Sequence, residues 1–374
     1  MCIERRSQTT LSRFDVAVVG GGPAGLATAI ALRRKGLAVL VVERTGYRSQ
    51  RVGEHIPPTT KLELVSLGLA EVGASGVYAS CPGIRSIWGS YEPTDRDYLF
   101  HPHGEGLNLS RPDFDLGLAA VAERLGVRIT TEARVAALSR LADAWQLLVI
   151  RTIGGLEVRA TVVIDATGRA ASIAKRLGAK PIVFDRLIGI FGRLPAASPR
   201  NHIVTVEAVE HGWWYSAGLA DGTVVVTFMT DPELIATSKA ARTRNWYDRL
   251  KEASMTAVRI AEHPGTIELQ IRTARTQRLD EPVGDRWLAV GDAAMSFDPL
   301  SSEGISKGLA AGQKAAAVAA ALCEGHRFEA DGYRDDISTE FAQYLAKHHR
   351  YYAVERRWPD ALFWRRRLSM RMQV

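Results

Sequence analysis

Residues 14–19 read Phe-Asp-Val-Ala-Val-Val, and Gly20-Gly21-Gly22-Pro23-Ala24-Gly25 follow at once, leading into an Ala/Leu/Ile-rich stretch that ends near Lys35. An apolar run, glycines spaced G-x-G-x-x-G and a helical pattern in that order admit few folds, because each glycine stands where a side chain would interfere. Gly20 permits a tight turn, Gly22 lets backbone approach a pyrophosphate, and Gly25 lets a helix pack on a strand. Pro23 and Ala24 open the helix, whose N-terminal N–H groups and positive dipole end favour phosphate. Residues 38–43 read as a second buried strand ending in Glu43, 18 residues after Gly25. A carboxylate there accepts hydrogen bonds from an adenosine ribose, and Arg44 beside it joins the same contact set. The expected unit is a parallel β-α-β of about 30 residues holding a dinucleotide.

A second segment decides between dinucleotides. Trp287-Leu288-Ala289-Val290-Gly291-Asp292-Ala293-Ala294 resembles the second fingerprint of the glutathione-reductase-like flavoproteins. That resemblance implies FAD, with Gly291 at the turn and Asp292 accepting from the ribityl hydroxyls. Asp298-Pro299-Leu300-Ser301-Ser302-Glu303-Gly304-Ile305 then opens a helix. N–H groups around Pro299, Ser302, Gly304 and Ile305 would face the flavin edge where negative charge develops on reduction. Asp165-Ala166-Thr167-Gly168-Arg169 resembles the Ala-Thr-Gly turn of the same flavoproteins and brings Ala166 and Gly168 into the set, with Val135. Arg51 and Arg111 stand where such proteins place cofactor-contacting arginines; a surface ion pair is the competing reading for each.

The expected fold is α/β: a glutathione-reductase-like FAD-binding Rossmann domain with an interleaved antiparallel β-sheet substrate domain and C-terminal helices. The FAD-binding part covers residues 1–184, with a substrate-side insertion around 80–110, and resumes at 279–325. Between them, 185–278 is β-rich, with strands expected at 202–208, 213–218, 223–229 and 266–271. Helices are expected at 111–125, 302–322 and 335–356, strands at 127–131, 145–150 and 157–164, and residues 326–374 form a helical end.

The chain has 374 residues, 46% hydrophobic and 24% charged, a balance that suits a folded globular protein and excludes a disordered one. No apolar run approaches the roughly 20 residues a membrane span needs. Residues 1–13 are polar and lack the apolar segment of a secretory signal, and Cys2, Cys81 and Cys323 have neither paired nor metal-binding spacing. A cytoplasmic protein without metal is expected. The net charge of +7 is spread along the chain until its Arg- and aromatic-rich last 30 residues, with no recognition motif, so nucleic acid is not expected as a partner.

Across nearly its whole length the chain resembles the group A flavin monooxygenase and flavin-dependent halogenase superfamily, whose fold is that of p-hydroxybenzoate hydroxylase. Gly212-Trp213-Trp214-Tyr215 is similar to the Trp-rich strand of the halogenases, and Val52-Gly53-Glu54 with Pro57 to their Gly-Glu loop. Three departures argue against halogenation. The Trp-x-Trp-x-Ile-Pro signature is broken, Arg85 stands where the halogenases' lysine would fall, and Glu303 places a carboxylate where a halide would sit. Arginine stays protonated and cannot act as an amine nucleophile.

Residues 53–58, 82–90 and 355–360 resemble a smaller branch, the maturation flavoproteins of quinocofactor enzymes, whose members oxygenate a tryptophan within a partner protein during tryptophylquinone biogenesis. The resemblance implies a monooxygenase in which reduced FAD and O2 give a C4a-hydroperoxide that hydroxylates an electron-rich aromatic ring. Glu54, His55 and Arg85 are the expected catalytic residues on the substrate side, with Glu54 or His55 as proton acceptor. A structural histidine before Pro57 is the competing reading of His55. No second G-x-G-x-x-G appears, so electrons are expected from NAD(P)H reaching the flavin transiently or from a flavin reductase. Residues 344–367 are either a docking surface for a protein or peptide substrate or a helix covering the core. Two alternatives remain open: a halogenase or other small-molecule FAD oxidoreductase, and a non-catalytic flavoprotein assembly factor.

Overall fold

The computed structural model describes residues 11–74, 77–152, 154–236, 238–262, 267–326 and 328–369, so Cys2 and Thr266 lie outside the described residues. The run Val16-Ala17-Val18-Val19 is buried on both faces, as a central parallel strand must be, and forms the end of β1 (Ser12–Val19). Helix α1 (Pro23–Arg34) starts with proline in its first turn and ends with Arg33 and Arg34, a distribution that suits its dipole. The chain returns as β2 (Val39–Val42), parallel to β1.

These two strands lie within an eight-stranded sheet. Gly155–Asp165 lies parallel to β1 on one side, followed by Trp287–Ala289, and Arg128–Thr130 lies parallel to β2 on the other. Ala133–Arg140 and Trp145–Arg151 form an antiparallel meander feeding Gly155–Asp165. The long helix Gly304–Glu324 lies against α1, and small residues set how closely. A Cβ on Gly312 would come within 2.6 Å of the Ala27 Cβ.

A second, seven-stranded sheet is antiparallel except at one pair, Val204–Val209 beside Gly83–Ile87. Two of its strands, Gly83–Ile87 and Thr94–Asp97, come from the 80–110 segment and the rest from residues 188–273. Its two faces hold separate cores. Trp214 packs outward against Trp246 of the helix Lys239–Lys251, while Trp213 faces Tyr352, Phe363 and Trp364 of the C-terminal helices.

Two elements here depart from the sequence-based reading. Strand Ile188–Pro195 was not expected, because Gly189 and Gly192 spoil its pattern. Both are glycine because neighbouring side chains cross them: a Cβ on Gly192 would meet Ile267 at 2.3 Å, and one on Gly189 would meet Met229 at 3.1 Å. Helix Lys239–Lys251 buries only Trp246 and Leu250, one turn apart, and so has almost no apolar stripe to read. The expected strand at 266–271 appears as Gln270–Thr273. The C-terminal helix runs Phe328–Val354, beginning seven residues before the expected 335.

Candidate active site and its cofactor cradle

Three turns far apart in sequence converge at the carboxyl edge of the parallel sheet. Gly20 has φ +112°, and a Cβ there would lie 2.1 Å from the Ala166 carbonyl oxygen. A Cβ on Gly25 would be 2.0 Å from the Gly20 oxygen and 3.0 Å from the Ala166 Cβ. Gly291, at φ +60°, approaches the same place from the third turn, its Cβ position 2.7 Å from that of Ala24. Gly22 and Gly304 differ from these: a Cβ on either would meet nothing within 4 Å. Their missing side chains leave open space, which is what close approach of a ligand to backbone requires.

Glu43 closes the end of β2. Its Oε2 accepts from the Gly21 N–H at 2.7 Å, and its Oε1 from the Thr45 N–H, the Thr45 hydroxyl and Arg51. Burial acts to raise its pKa, but those bonds and the Arg51 charge outweigh it and hold the carboxyl below its ordinary range. Arg51 also pairs with buried Asp115 at 2.7 Å, and Arg111 reaches the same carboxylate at 3.2 Å. Both arginines are thus held in a partly buried ion-pair network around Asp115. Arg44 is exposed, and the carbonyl of buried Val135 accepts from Arg176.

Several residues organise the cradle through partners or conformations that the sequence did not indicate. Asp165 is fully buried and ties up its own turn, accepting from Thr167 N and Oγ1 and from the Ile173 and Ala174 N–H groups. Arg169 donates to the carbonyls of Arg275 and Phe297 and lies 3.4 Å from Asp292, whose carboxylate is about two-fifths exposed. Tyr47, in the left-handed region at φ +64°, buries an unpartnered hydroxyl beside Gly21. Local turn patterns pointed to the Asp165 motif; the partners of Arg169 lie over 100 residues away in sequence and leave no trace in it.

The turn after Asp292 bends through Pro299–Ser301 and Ser302, a non-glycine residue at φ +51°, into helix Gly304–Glu324, with Ile305 buried at its start. Glu303 precedes that helix and pairs with Lys307 and Lys347, so its charge is compensated. The expectation that Glu303 repels a halide is weakened accordingly.

Across the interface with the seven-stranded sheet, Glu54 and His55 are both buried. Burial pushes the Glu54 carboxyl above its ordinary range, against the Gly53 N–H and the charges of Arg111 and Arg193. The Tyr215 phenol lies close enough for the Glu54 charge to act on it. His55 Nδ1 is 3.1 Å from Asn108 Oδ1, while Asn108 Nδ2 donates to the carbonyls of His202 and Gly218. Because both amide hydrogens are thereby used, the Asn108 oxygen faces His55, which must carry its proton on Nδ1 and present a lone pair at Nε2. That Nε2 is buried without a partner, and burial lowers the ring's pKa to about 4. Arg85 stands apart at the surface, nearly half exposed and bidentate to Asp95 at 2.7 and 2.8 Å.

A family model described as FAD binding domain matches residues 13–334. The chain belongs to this FAD-binding family. As a FAD-dependent oxidoreductase of the group A monooxygenase and halogenase superfamily, it has relatives along its whole length. It is 31% identical over 367 residues to LodB of Marinomonas mediterranea, named as a FAD-dependent oxidoreductase, covering 96% of this chain and 97% of that protein. QhpG, a peptidyl tryptophan dihydroxylase essential for tryptophylquinone cofactor biogenesis, superposes with a TM-score of 0.82 at 26% identity, over 97% of this chain and 80% of its own. CmlS, a flavin-dependent halogenase, superposes with a TM-score of 0.82 at 25% identity, over 95% of this chain and 68% of its own.

The residues present fit FAD. The bare positions at Gly22 and Gly304, the α1 N-terminus without acidic residues in its first turn, and the accessible Asp292 carboxylate supply a pyrophosphate cradle and a ribityl acceptor. Glu43 already accepts four bonds, only one of them at Oε2, where a ribose hydroxyl can still be received.

Proposed function

We propose that this flavoprotein hydroxylates an electron-rich aromatic ring, and that the ring is a tryptophan side chain held in a polypeptide. The observation that carries the reading is the buried Glu54, whose carboxyl is held above its ordinary range beside buried His55; residues 83–86 offer no lysine amine of the kind halogenation calls for, and Arg85 there is paired with Asp95 at the surface. The superposition on QhpG, a peptidyl tryptophan dihydroxylase, supports a polypeptide as the substrate. NAD(P)H or a separate flavin reductase supplies the electrons.

When bound and reduced, FAD supplies an electrophilic oxygen atom drawn from O2. The chain's own part is positioning and proton handling. Hydroxylation at a ring carbon releases a proton as the ring recovers its aromaticity, and the Glu54 carboxylate, made more basic by burial, is suited to receive it at Oε1 or Oε2. Neutral His55, fixed by Asn108, presents Nε2 as an acceptor that can orient a donor such as an indole N–H. With FAD bound, backbone N–H groups at the start of helix Gly304–Glu324 would stabilise negative charge gained on reduction.

The test is a single incubation of photoreduced holoprotein with isotopically labelled O2, chloride and a synthetic tryptophan-containing peptide, read by mass spectrometry. Labelled oxygen on the indole is the expected result. A chlorinated indole would move the chain to the halogenases, and hydrogen peroxide with unmodified peptide would leave an assembly factor.

A further inference from the structure

Buried Asp298 ties the turn beside the flavin to two other parts of the fold. Its Oδ1 accepts from the Leu300 N–H at 2.9 Å and so caps the Pro299–Ser301 turn. Its Oδ2 accepts from the Tyr352 hydroxyl at 2.6 Å and lies 3.3 Å from His348 Nε2. Its backbone N–H donates to the Tyr344 oxygen at 2.8 Å. Tyr344, His348 and Tyr352 recur every fourth residue, so one face of helix Phe328–Val354 delivers all three, with ring centroids 5.7 and 4.5 Å apart. The Tyr352 oxygen in turn accepts from Trp213 Nε1 at 3.0 Å, which brings in the seven-stranded sheet. Burial would raise the Asp298 pKa, but the hydrogen bonds and charge from His348 and the bond from Tyr352 prevail and keep it ionised below its ordinary range.

This carboxylate sits four residues before Ser302, whose left-handed backbone is unfavourable for a residue with a side chain. Such a conformation persists only where its surroundings dictate it. The Leu300 N–H bond fixes the turn on the Asp298 side, and Glu303, held by Lys307 and Lys347, fixes it on the other. A cluster needed only to fill the core would not have to aim an ionised carboxylate at the base of this one turn.

We propose that His348 and Tyr352 are positioning residues for the flavin: acting through Asp298, they hold the 299–304 turn in the register that presents its backbone N–H groups to the ring. The proposal rests on the reading that this turn borders the flavin, and it extends the working site to the C-terminal helix. Donors held in register stabilise the negative charge gained on reduction, so the chain of contacts sets how readily the bound flavin accepts electrons.

The experiment compares Tyr352→Phe, His348→Leu and His348→Gln with the wild-type holoprotein, each saturated with FAD, by dye-coupled reduction and by visible absorption spectrum. Tyr352→Phe and His348→Leu are expected to lower the ratio of reduced to oxidised bound flavin several-fold at a fixed dye potential and to shift the flavin bands. His348→Gln, which keeps a donor, is expected to lie nearer the wild type. A core-filling role would lower the melting temperature and leave potential and spectrum where they were; that result in Tyr352→Phe and His348→Leu overturns the proposal. Should His348→Leu fail to fold, Tyr352→Phe decides alone, since it removes one oxygen atom from a side chain otherwise packed as before. Wild-type protein that takes up no FAD would overturn the underlying reading as well, an outcome distinct from an unchanged potential.

Discussion

Gly291 and Ala24 are separated by 267 residues, yet a Cβ on the glycine would stand 2.7 Å from the alanine's methyl carbon. The strand that ends at Ala289 and the helix that begins at Pro23 therefore meet with no room between them, and the cofactor cradle is built across that contact.

Gly291→Ala tests this relationship. The substitution meets both the Ala24 methyl and an unfavourable φ of +60°. Together the strain and the overpacking are expected to cost about 2–4 kcal/mol. FAD affinity, followed by quenching of flavin fluorescence on titration, should fall by two orders of magnitude or so. Retention of wild-type affinity would separate Gly291 from the cradle.

Glu54→Gln is expected to change stability and activity in opposite directions. A carboxyl whose folded pKa is raised binds its proton more tightly in the folded state, so its ionisation costs stability as pH rises through that pKa. Glutamine removes this cost and keeps an oxygen for the Gly53 N–H, so the melting temperature at neutral pH should rise or hold. Hydroxylation should fall by about 10²–10⁴-fold if Glu54 receives the proton. Full turnover in this variant would assign the proton elsewhere.

His55 makes a prediction in the acid range. Its folded pKa of about 4 lies below its ordinary 6.5, so the folded state binds fewer protons between those values. Stability is therefore lost as pH falls from about 6.5 toward 4, by roughly 2–4 kcal/mol in all. Glu54 acts in the opposite sense over an overlapping range, so the urea midpoint is best followed against pH in Glu54→Gln protein. Adding His55→Phe should flatten the slope in that window. An unchanged slope would mean that His55 titrates normally.

Arg85→Ala separates chemistry from surface charge. Its pair with Asp95 is about half exposed on both sides, and exposed pairs contribute about 0–1 kcal/mol. Thermal melting should therefore barely move. A loss of hydroxylation without a loss of stability would show that Arg85 acts on substrate, and an unchanged rate would return it to the surface.

How much of this the chain discloses on its own depends on distance along it. The G-x-G-x-x-G turn, Glu43 and the Gly291-Asp292 turn are local patterns whose chemistry can be read residue by residue, and the Arg111–Asp115 pair lies one helical turn apart. Asn108 meets the Gly218 carbonyl 110 residues away, and Tyr352 meets Asp298 across 54. Neither pairing leaves a periodicity or a spacing to detect. The aromatic and arginine-rich stretch 344–367 read either as a docking surface or as a helix covering the core, and burial favours the second: Tyr344, Tyr352, Phe363, Trp364 and Arg367 are all buried, and exposure is kept for residues such as Tyr351. Arg367 is drawn inside by Asp231, on a turn that follows a strand of the other sheet.

The one parallel pairing in the second sheet joins Ile84 to Val204, and the first sheet receives Trp287–Ala289 long after its neighbours. Each layer is thus left with a missing rung until a much later stretch of polypeptide has been synthesised. A nascent chain that has emerged only to residue 280 has its glycine turn in place but lacks the strand that carries Asp292 toward it. Assembly of the cradle therefore waits for residues 287–304, and a chain that stops upstream of Trp287 is expected to lack the acceptor that Asp292 supplies.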